Sequence, residues 1–493
     1  MKKRYLESAL IITILLIGAY LRLNKIEDYM TFLGDEGRDV LVVKRMIVDH
    51  KFTLLGPTAS VGGFFLGPIY YYFMLPFLWA FNLNPVGPAI MVALFGIATI
   101  YLVFIVGKKL FDLKTAFIAS SLYAISPYII AYSRSSWNPN IIPFFSLLII
   151  YLTWIAVVKE KWNMLFWVGI LTGIIFQLHY LASFLTIGII IYILIYGKEK
   201  RIKEYALGIL GFIIGFSPFL LFEVRHGFPN TKTLSKFLFQ GKEVGLVGAG
   251  FFITISDVTF RLWHRLVTNN NLILTYIILS ISLIVFFITW YKKRKNISSF
   301  KTHLLIFIWG FISIILFGFY KKGIYDYYFG IMYVLPFLLV GNALSYISKN
   351  IFGKIIAIII FITLIYVNWE GRPFRFPANR QLNQTKEIAN FVLSKTEGKP
   401  FNFALITDRN SDHAYRYFFE ISGNKPITIE NNQNDKERKT VTDQLLIICE
   451  RENCQPLGNS LWEVAGFGRA ELAGDWKASV VKVYKLIHYK ENN

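Results

Sequence analysis

Apolar runs of about 17–25 residues recur along most of this chain of 493 residues, and that is the length a helix needs to cross the hydrocarbon of a bilayer. They fall at 6–23, 86–107, 115–132, 140–158, 163–181, 182–197, 205–222, 271–291, 302–320, 328–347 and 353–369. Only 17% of residues are charged, against about 25% in soluble domains. The formal charge of +21 would suggest nucleic acid if it lay on a soluble face. Here the cations sit between the apolar runs instead. A soluble enzyme, a disordered chain and a nucleic-acid module are excluded. What remains is a polytopic α-helical membrane protein with about eleven transmembrane helices, embedded among membrane lipids.

The cations also set the expected orientation. Lys2 to Arg4, Lys108 with Lys109 and Lys114, Lys159 with Lys161, Lys198 to Lys203, Lys292 to Lys301, and Lys349 with Lys354 occupy every second connection. Cytoplasmic loops carry such an excess of Lys and Arg. The amino terminus is therefore expected in the cytoplasm and, after an odd number of spans, the carboxyl terminus outside the cell membrane. The first span is expected to be a retained anchor, because a signal peptide has a shorter apolar core. Residues 68–81 are too short to cross and are expected to lie at the interface.

Three external segments exceed a turn: 24–85, 223–270 and everything after Asn368. Two domains are expected, a membrane module over 1–370 that includes the first external segment, and a soluble α/β domain over 371–493. In the latter, alternating runs at 403–407, 445–449 and 479–488 predict strands, and 385–393 and 414–420 predict helices. Cys449 and Cys454 are the only cysteines. Outside the cell they are expected either to close a small loop disulfide or to stay as two buried thiols.

No Asp, Glu, Lys or Arg falls in the middle of any expected span. Intramembrane ionisable residues mark ion pathways and coupled carriers, so the polar chemistry is expected at the external surface. The first external segment supplies Phe32-Leu33-Gly34-Asp35-Glu36-Gly37-Arg38-Asp39 followed by a helical pattern. One reading makes Asp35 the N-cap and Glu36 a partner of the helix dipole; the other makes them a catalytic pair. Farther on, Gly56-Pro57 and Gly67-Pro68 punctuate a loop that can fold back and present its amides. Tyr70, Tyr71 and Tyr72 then start the interfacial helix, where tyrosines also serve as lipid anchors.

An Asp-Glu pair shortly after the first span, a Gly-Pro-Ile-Tyr-Tyr stretch opening a surface helix, and many following spans together resemble the GT-C glycosyltransferases. The resemblance is to the protein O-mannosyltransferase and lipid A aminoarabinose transferase type, the glycosyltransferase family 39 group, and covers roughly residues 1–370. It implies inverting transfer of a sugar from a polyprenyl-phosphate carrier to an acceptor hydroxyl on the external face, by a hexosyl- or pentosyltransferase. Asp35 matches the general base of that family. Glu36 would orient Asp35, bind the acceptor or pair with a cation, and Gly67, Pro68, Tyr70 and Tyr71 match the donor and acceptor loop. Related enzymes often carry His-Pro-Pro or Lys-Pro-Pro where this chain has Leu66-Gly67-Pro68, so that stretch gives Asp35 no charge partner and another loop can supply one.

The chemistry fits the resemblance. A hydroxyl needs a positioned carboxylate to take its proton, and a departing lipid phosphate needs donors or positive charge. Arg134, Arg225, His226, Lys321 and Tyr327, all in expected external connections, are the candidates for that phosphate. Arg binds two phosphate oxygens at once, although an Arg at a span end also serves as a snorkelling anchor. No cofactor is expected, as there is no nucleotide-binding glycine loop. A divalent ion at Asp35 and Glu36 is disfavoured, because adjacent helical residues diverge. The acceptor, whether lipid, glycan or protein, is not legible. The competing function is transport or scrambling of polyprenyl-linked glycans, and a third reading is a surface assembly factor.

Overall fold

The computed structural model describes residues 2–59, 62–197, 201–239, 249–320, 323–408 and 410–489. By their contacts these form two compact units. One comprises residues 1–26, 52–77 and 87–377, the other 27–51, 78–86 and 378–493. The division therefore runs through the first external segment.

Every expected span is helical, but the helices are of three kinds. Among the described residues six are long and apolar enough to cross a membrane: Tyr5–Leu23, Val86–Leu110, Asn138–Val158, Leu272–Lys293, Ile297–Phe317 and Ile351–Glu370. Two expected spans are bent pairs, Ile202–Gly215 with Ser217–Arg225 at 73° and Asp326–Met332 with Leu335–Ile347 at 57°. Counting each pair as one span gives eight at most. The rest are shorter apolar helices, Leu113–Ile125, Trp162–Leu178 and Ala182–Tyr196. Proline accounts for much of the difference. Pro127, Pro218 and Pro336 each stand in the first turn of the second piece, where a missing N–H costs nothing but the preceding helix cannot continue. Residues 115–132, expected as one span, thus break at Ser126, whose backbone is extended.

Within this unit the basic connections meet one another. Glu160 accepts from Arg201 at 3.1 Å and Lys301 at 3.0 Å, and Lys114 reaches the Ser348 hydroxyl at 3.1 Å. The connections expected outside also meet. Asn138 donates to the Leu178 carbonyl at 2.6 Å, and next to it Gln177 donates to the carbonyl of Gly215, inside the expected span 205–222, at 2.7 Å. The expected interfacial helix is present as Ile69–Ala80, with Pro76 inside it.

The second unit holds a four-stranded sheet of order β1-β2-β4-β3, with β1 Asn402–Ile406, β2 Gln444–Cys449, β3 Ala470–Ala478 and β4 Val481–His488. β1 and β2 are parallel and the other pairs antiparallel. β1 and β2 are buried throughout, as expected of short continuous apolar runs. β3 is not legible in the sequence because it is an edge strand, mostly exposed, with Glu471, Asp475 and Lys477 along it and a bulge between Leu472 and Gly474. The strand expected from 479 starts at Val481, since Ser479 has φ 53° and turns the chain out of β3. Cys449 and Cys454 are bonded to each other, with their Cα atoms 6.3 Å apart.

Candidate functional site

In the second unit, helix Gly34–Val48 packs against helix His413–Ile421, and its first turn carries Asp35 and Glu36. Asp35 is not the N-cap, which is Leu33. Glu36 does the capping: its Oε2 accepts the Leu33 N–H at 3.0 Å. This corrects the expected division of labour. The capping carboxylate must fold back onto the helix end and so becomes buried, whereas Asp35 one residue earlier points outward, its side chain 54% exposed. Arg38 donates to Asp35 Oδ1 at 2.8 Å and to Asp39 Oδ1 at 2.9 Å. Asp39 is fully buried, so this guanidinium is held by one carboxylate and presents itself to the other.

Burial pushes the Glu36 carboxyl from 4.5 up to about 7, against the pull of its bond to the Leu33 N–H. The folded state then binds the proton more tightly than the unfolded chain, and stability is lost as pH rises from 4.5 to about 7. The gap corresponds to about 3 kcal/mol at most. Glu36→Gln keeps the acceptor and cannot ionise. It is expected to flatten the pH dependence of the thermal midpoint and to raise that midpoint at a pH of about 8. An unchanged slope would show that Glu36 does not govern it. His413 faces the same charges: burial lowers its pKa, Asp412 and Asp35 raise it, and Arg38 and Arg416 lower it.

In the membrane unit, the loop before helix Ile69–Ala80 folds back as the Gly-Pro pairs predict. Gly56 N–H donates to the Leu66 carbonyl at 2.9 Å and Leu66 N–H to the Pro57 carbonyl at 2.8 Å. An added Cβ at Gly67 would meet the Gln177 side chain, which explains the glycine. Pro68, Tyr70 and Tyr71 are buried, and the Tyr70 hydroxyl lies 2.9 Å from that of Ser136.

The phosphate candidates separate. Arg134 is buried, its Nη atoms donating to the carbonyls of Leu21 at 2.7 Å and of Asn24 and Lys25 at 2.9 Å each. It clamps the end of the first helix, whose last carbonyls lack helical partners. Arg225 and His226 are exposed, with His226 stacked on Phe222. Lys321 lies outside the described residues. Tyr327 is half-buried in an aromatic cluster with Trp137, His179 and Tyr328.

Beside Tyr327, a cationic group was missed in the sequence. Arg261 Nε donates to Asp326 Oδ1 at 2.8 Å, its Nη1 to Asp257 at 2.9 Å and its Nη2 to the Ile324 carbonyl at 2.9 Å. Arg265 lies 3.3 Å from Asp326 and stays largely exposed. The signal was there: Arg261, His264 and Arg265 stand at i, i+3 and i+4 of helix Ala249–Leu266, the spacing that shares one helix face. Among the described residues no group of three or more His, Cys, Asp or Glu could hold a metal ion.

The same unit contains a cavity of about 510 Å³ walled by Phe64, Phe176, Phe184, Phe212, Phe216 and Phe237, with Ser183, Tyr180 and Tyr320 also on its lining. The hydroxyls of Tyr180 and Tyr320 are 3.2 Å apart. Tyr320 also packs on Tyr328 at 5.9 Å, so the cavity wall continues into the aromatic cluster around Tyr327.

Residues 67–222 match the family model of dolichyl-phosphate-mannose-protein mannosyltransferases. Among curated protein sequences none matches the chain. The structure is similar to that of ArnT from Cupriavidus metallidurans bound to undecaprenyl phosphate, with a TM-score of 0.64, 11% identity and 97% of each chain covered. It is also similar to the archaeal oligosaccharyltransferase AglB from Archaeoglobus fulgidus in complex with an inhibitory peptide and a dolichol-phosphate. There the TM-score is 0.55 and the identity 12%, with 90% of this chain and 69% of that one covered. The chain is a multi-pass membrane protein with the GT-C fold, and residues 67–222 carry the mannosyltransferase family match within it.

Proposed function

We propose that this protein is an inverting glycosyltransferase that moves a hexosyl or pentosyl unit from a polyprenyl-phosphate donor to an acceptor hydroxyl on the external face of the membrane. The observation that carries the reading is the phenylalanine-walled cavity in the membrane unit. It is apolar enough for an isoprenoid chain, and its wall continues into the Tyr327 cluster. The family match over residues 67–222 and the lipid phosphates held by ArnT and AglB support the same donor class.

In this mechanism the acceptor oxygen attacks the anomeric carbon while the bond from that carbon to the phosphate oxygen breaks. The acceptor proton passes to the Asp35 carboxylate, and polyprenyl phosphate leaves with its added negative charge. An exposed carboxylate whose orientation is held by Arg38 suits a base that must meet an incoming substrate. Arg261 and Arg265, together with Tyr327, Arg225, His226 and Lys321, are the groups we assign to the departing phosphate. Gly67, Pro68, Tyr70 and Tyr71 are assigned to the donor and acceptor loop of the same unit. The amino terminus is assigned to the cytoplasm and the C-terminal domain to the outside. No metal is assigned to the reaction.

The test is product formation by the purified protein from a panel of polyprenyl-phosphate sugars, with the anomeric configuration of product read by NMR. Release of polyprenyl phosphate with inversion supports the reading. Binding of a donor with no transfer to any acceptor would favour a carrier. The cavity assignment makes a separate prediction. Ser183→Trp narrows the cavity and is expected to raise the KM for a long-chain donor by about tenfold, the equivalent of about two methylenes no longer buried. A donor with a two-isoprene tail is expected to show a much smaller change. An equal effect on both donors would move the lipid elsewhere.

A further inference from the structure

We propose that the disulfide-closed loop at the end of β2 is a positioning device for the helix that carries Asp35. The inference rests on the reading of Asp35 as base. All the residues involved belong to the second unit.

Glu450 stands immediately after Cys449, inside the loop that the bond to Cys454 closes. Its backbone N–H is tied to the Ile406 carbonyl at 3.0 Å. Its carboxylate accepts from the Thr407 hydroxyl at 2.7 Å, the Tyr415 hydroxyl at 2.9 Å and Asn410 Nδ2 at 3.0 Å. An ionised carboxylate only accepts, so it fixes which end of the Asn410 amide faces it. Asn410 Oδ1 is thereby turned to accept the N–H of Gly34 at 2.9 Å and that of Ser411 at 2.9 Å.

Gly34 is the first residue of the Asp35 helix, and the opening N–H groups of a helix have no partner of their own. Asn410 thus supplies from the C-terminal domain an acceptor that the local sequence lacks. The approach is close. An added Cβ at Gly34 would run into Ser411, and one at Gly37 into the backbone of Ala414. Sequence therefore specifies both sides of the joint: Gly34 and Gly37, flanking the two carboxylates, and Asn410 with Glu450 opposite. The external domain in this account builds the base rather than covering it. Asn410 and Glu450 are positioning residues, and the disulfide limits the freedom of the loop that holds Glu450.

The test uses the full-length protein with Asn410→Ala, Glu450→Ala, Glu450→Gln and Asp35→Asn, reading kcat, donor KM and amide exchange across residues 30–48. Asn410→Ala and Glu450→Ala are expected to lower kcat by about tenfold to a hundredfold, the cost of a misplacement of about 1 Å, with donor KM unchanged. Glu450→Gln retains acceptor oxygen and is expected to recover most of the loss. Asn410→Ala is expected to speed exchange at the start of the Asp35 helix while leaving β4 protected. Reducing the disulfide in wild type is expected to act in the same direction. Unchanged exchange, a rise in KM with kcat intact, or Gln no better than Ala would overturn the proposal. Full turnover by Asp35→Asn would instead overturn the assignment of the base, and the exchange result would still report on the joint.

Discussion

Replacing Asp35 with asparagine is expected to lower sugar transfer by about 10²- to 10⁴-fold, the usual contribution of a positioned general base. Donor binding should persist, because the isoprenoid chain is assigned to the apolar cavity of the membrane unit. Asparagine keeps the size of the side chain and an oxygen for Arg38, which donates to Asp35 Oδ1 in the wild type. The loss would then report proton transfer rather than collapse of the helix end. Measuring kcat and donor Kd on the same preparation checks this. Loss of both together would point to unfolding, and equal turnover would remove Asp35 from the chemistry. Glu36→Gln provides the contrast. Its carboxylate is buried and engaged with Leu33, so its main effect is expected in the pH dependence of stability.

The second large effect is expected from a single methyl group. Gly37→Ala puts a Cβ into the backbone of Ala414, between two helices that have no side chain there to give way. Overpacking of this kind costs about 1–3 kcal/mol. The helix would have to shift to accommodate it, and a shift of about 1 Å in a reacting group costs roughly a hundredfold in rate. The expected result is a lowered thermal midpoint together with a fall in kcat, larger still for Gly37→Leu. A midpoint unchanged with kcat intact would show that the two helices are not held at this distance in solution.

These two predictions differ in how far the sequence led to them. Asp35 stands out in the sequence by its place after the first span and by the resemblance to a family. Gly37 does not, since glycine at i+3 from Gly34 looks like loop punctuation until something is seen to lie against that face. Arg134 shows the same limit. Its place in an expected external connection suggests a phosphate ligand, yet its donors reach three backbone carbonyls, and the demand of a helix end for partners is invisible in a residue list. Arg261 and Arg265 were legible by helical spacing, but only once the extent of helix Ala249–Leu266 is known.

The sequence by itself determined the membrane class, the apolar segments, the basic connections and the α/β character of the C-terminal region. Each of these follows from local hydrophobicity and charge, which act through the nearest solvent, lipid or water. The tertiary structure alone decided that the Asp35 helix packs in one unit with the C-terminal sheet, that Glu36 is the buried member of the pair, and that Asn410 caps Gly34. The joint between the Asp35 helix and the C-terminal domain depends on contacts between residues hundreds of positions apart, and hydrogen-bond geometry and close packing at that separation leave no period or motif in the chain for a reader to find.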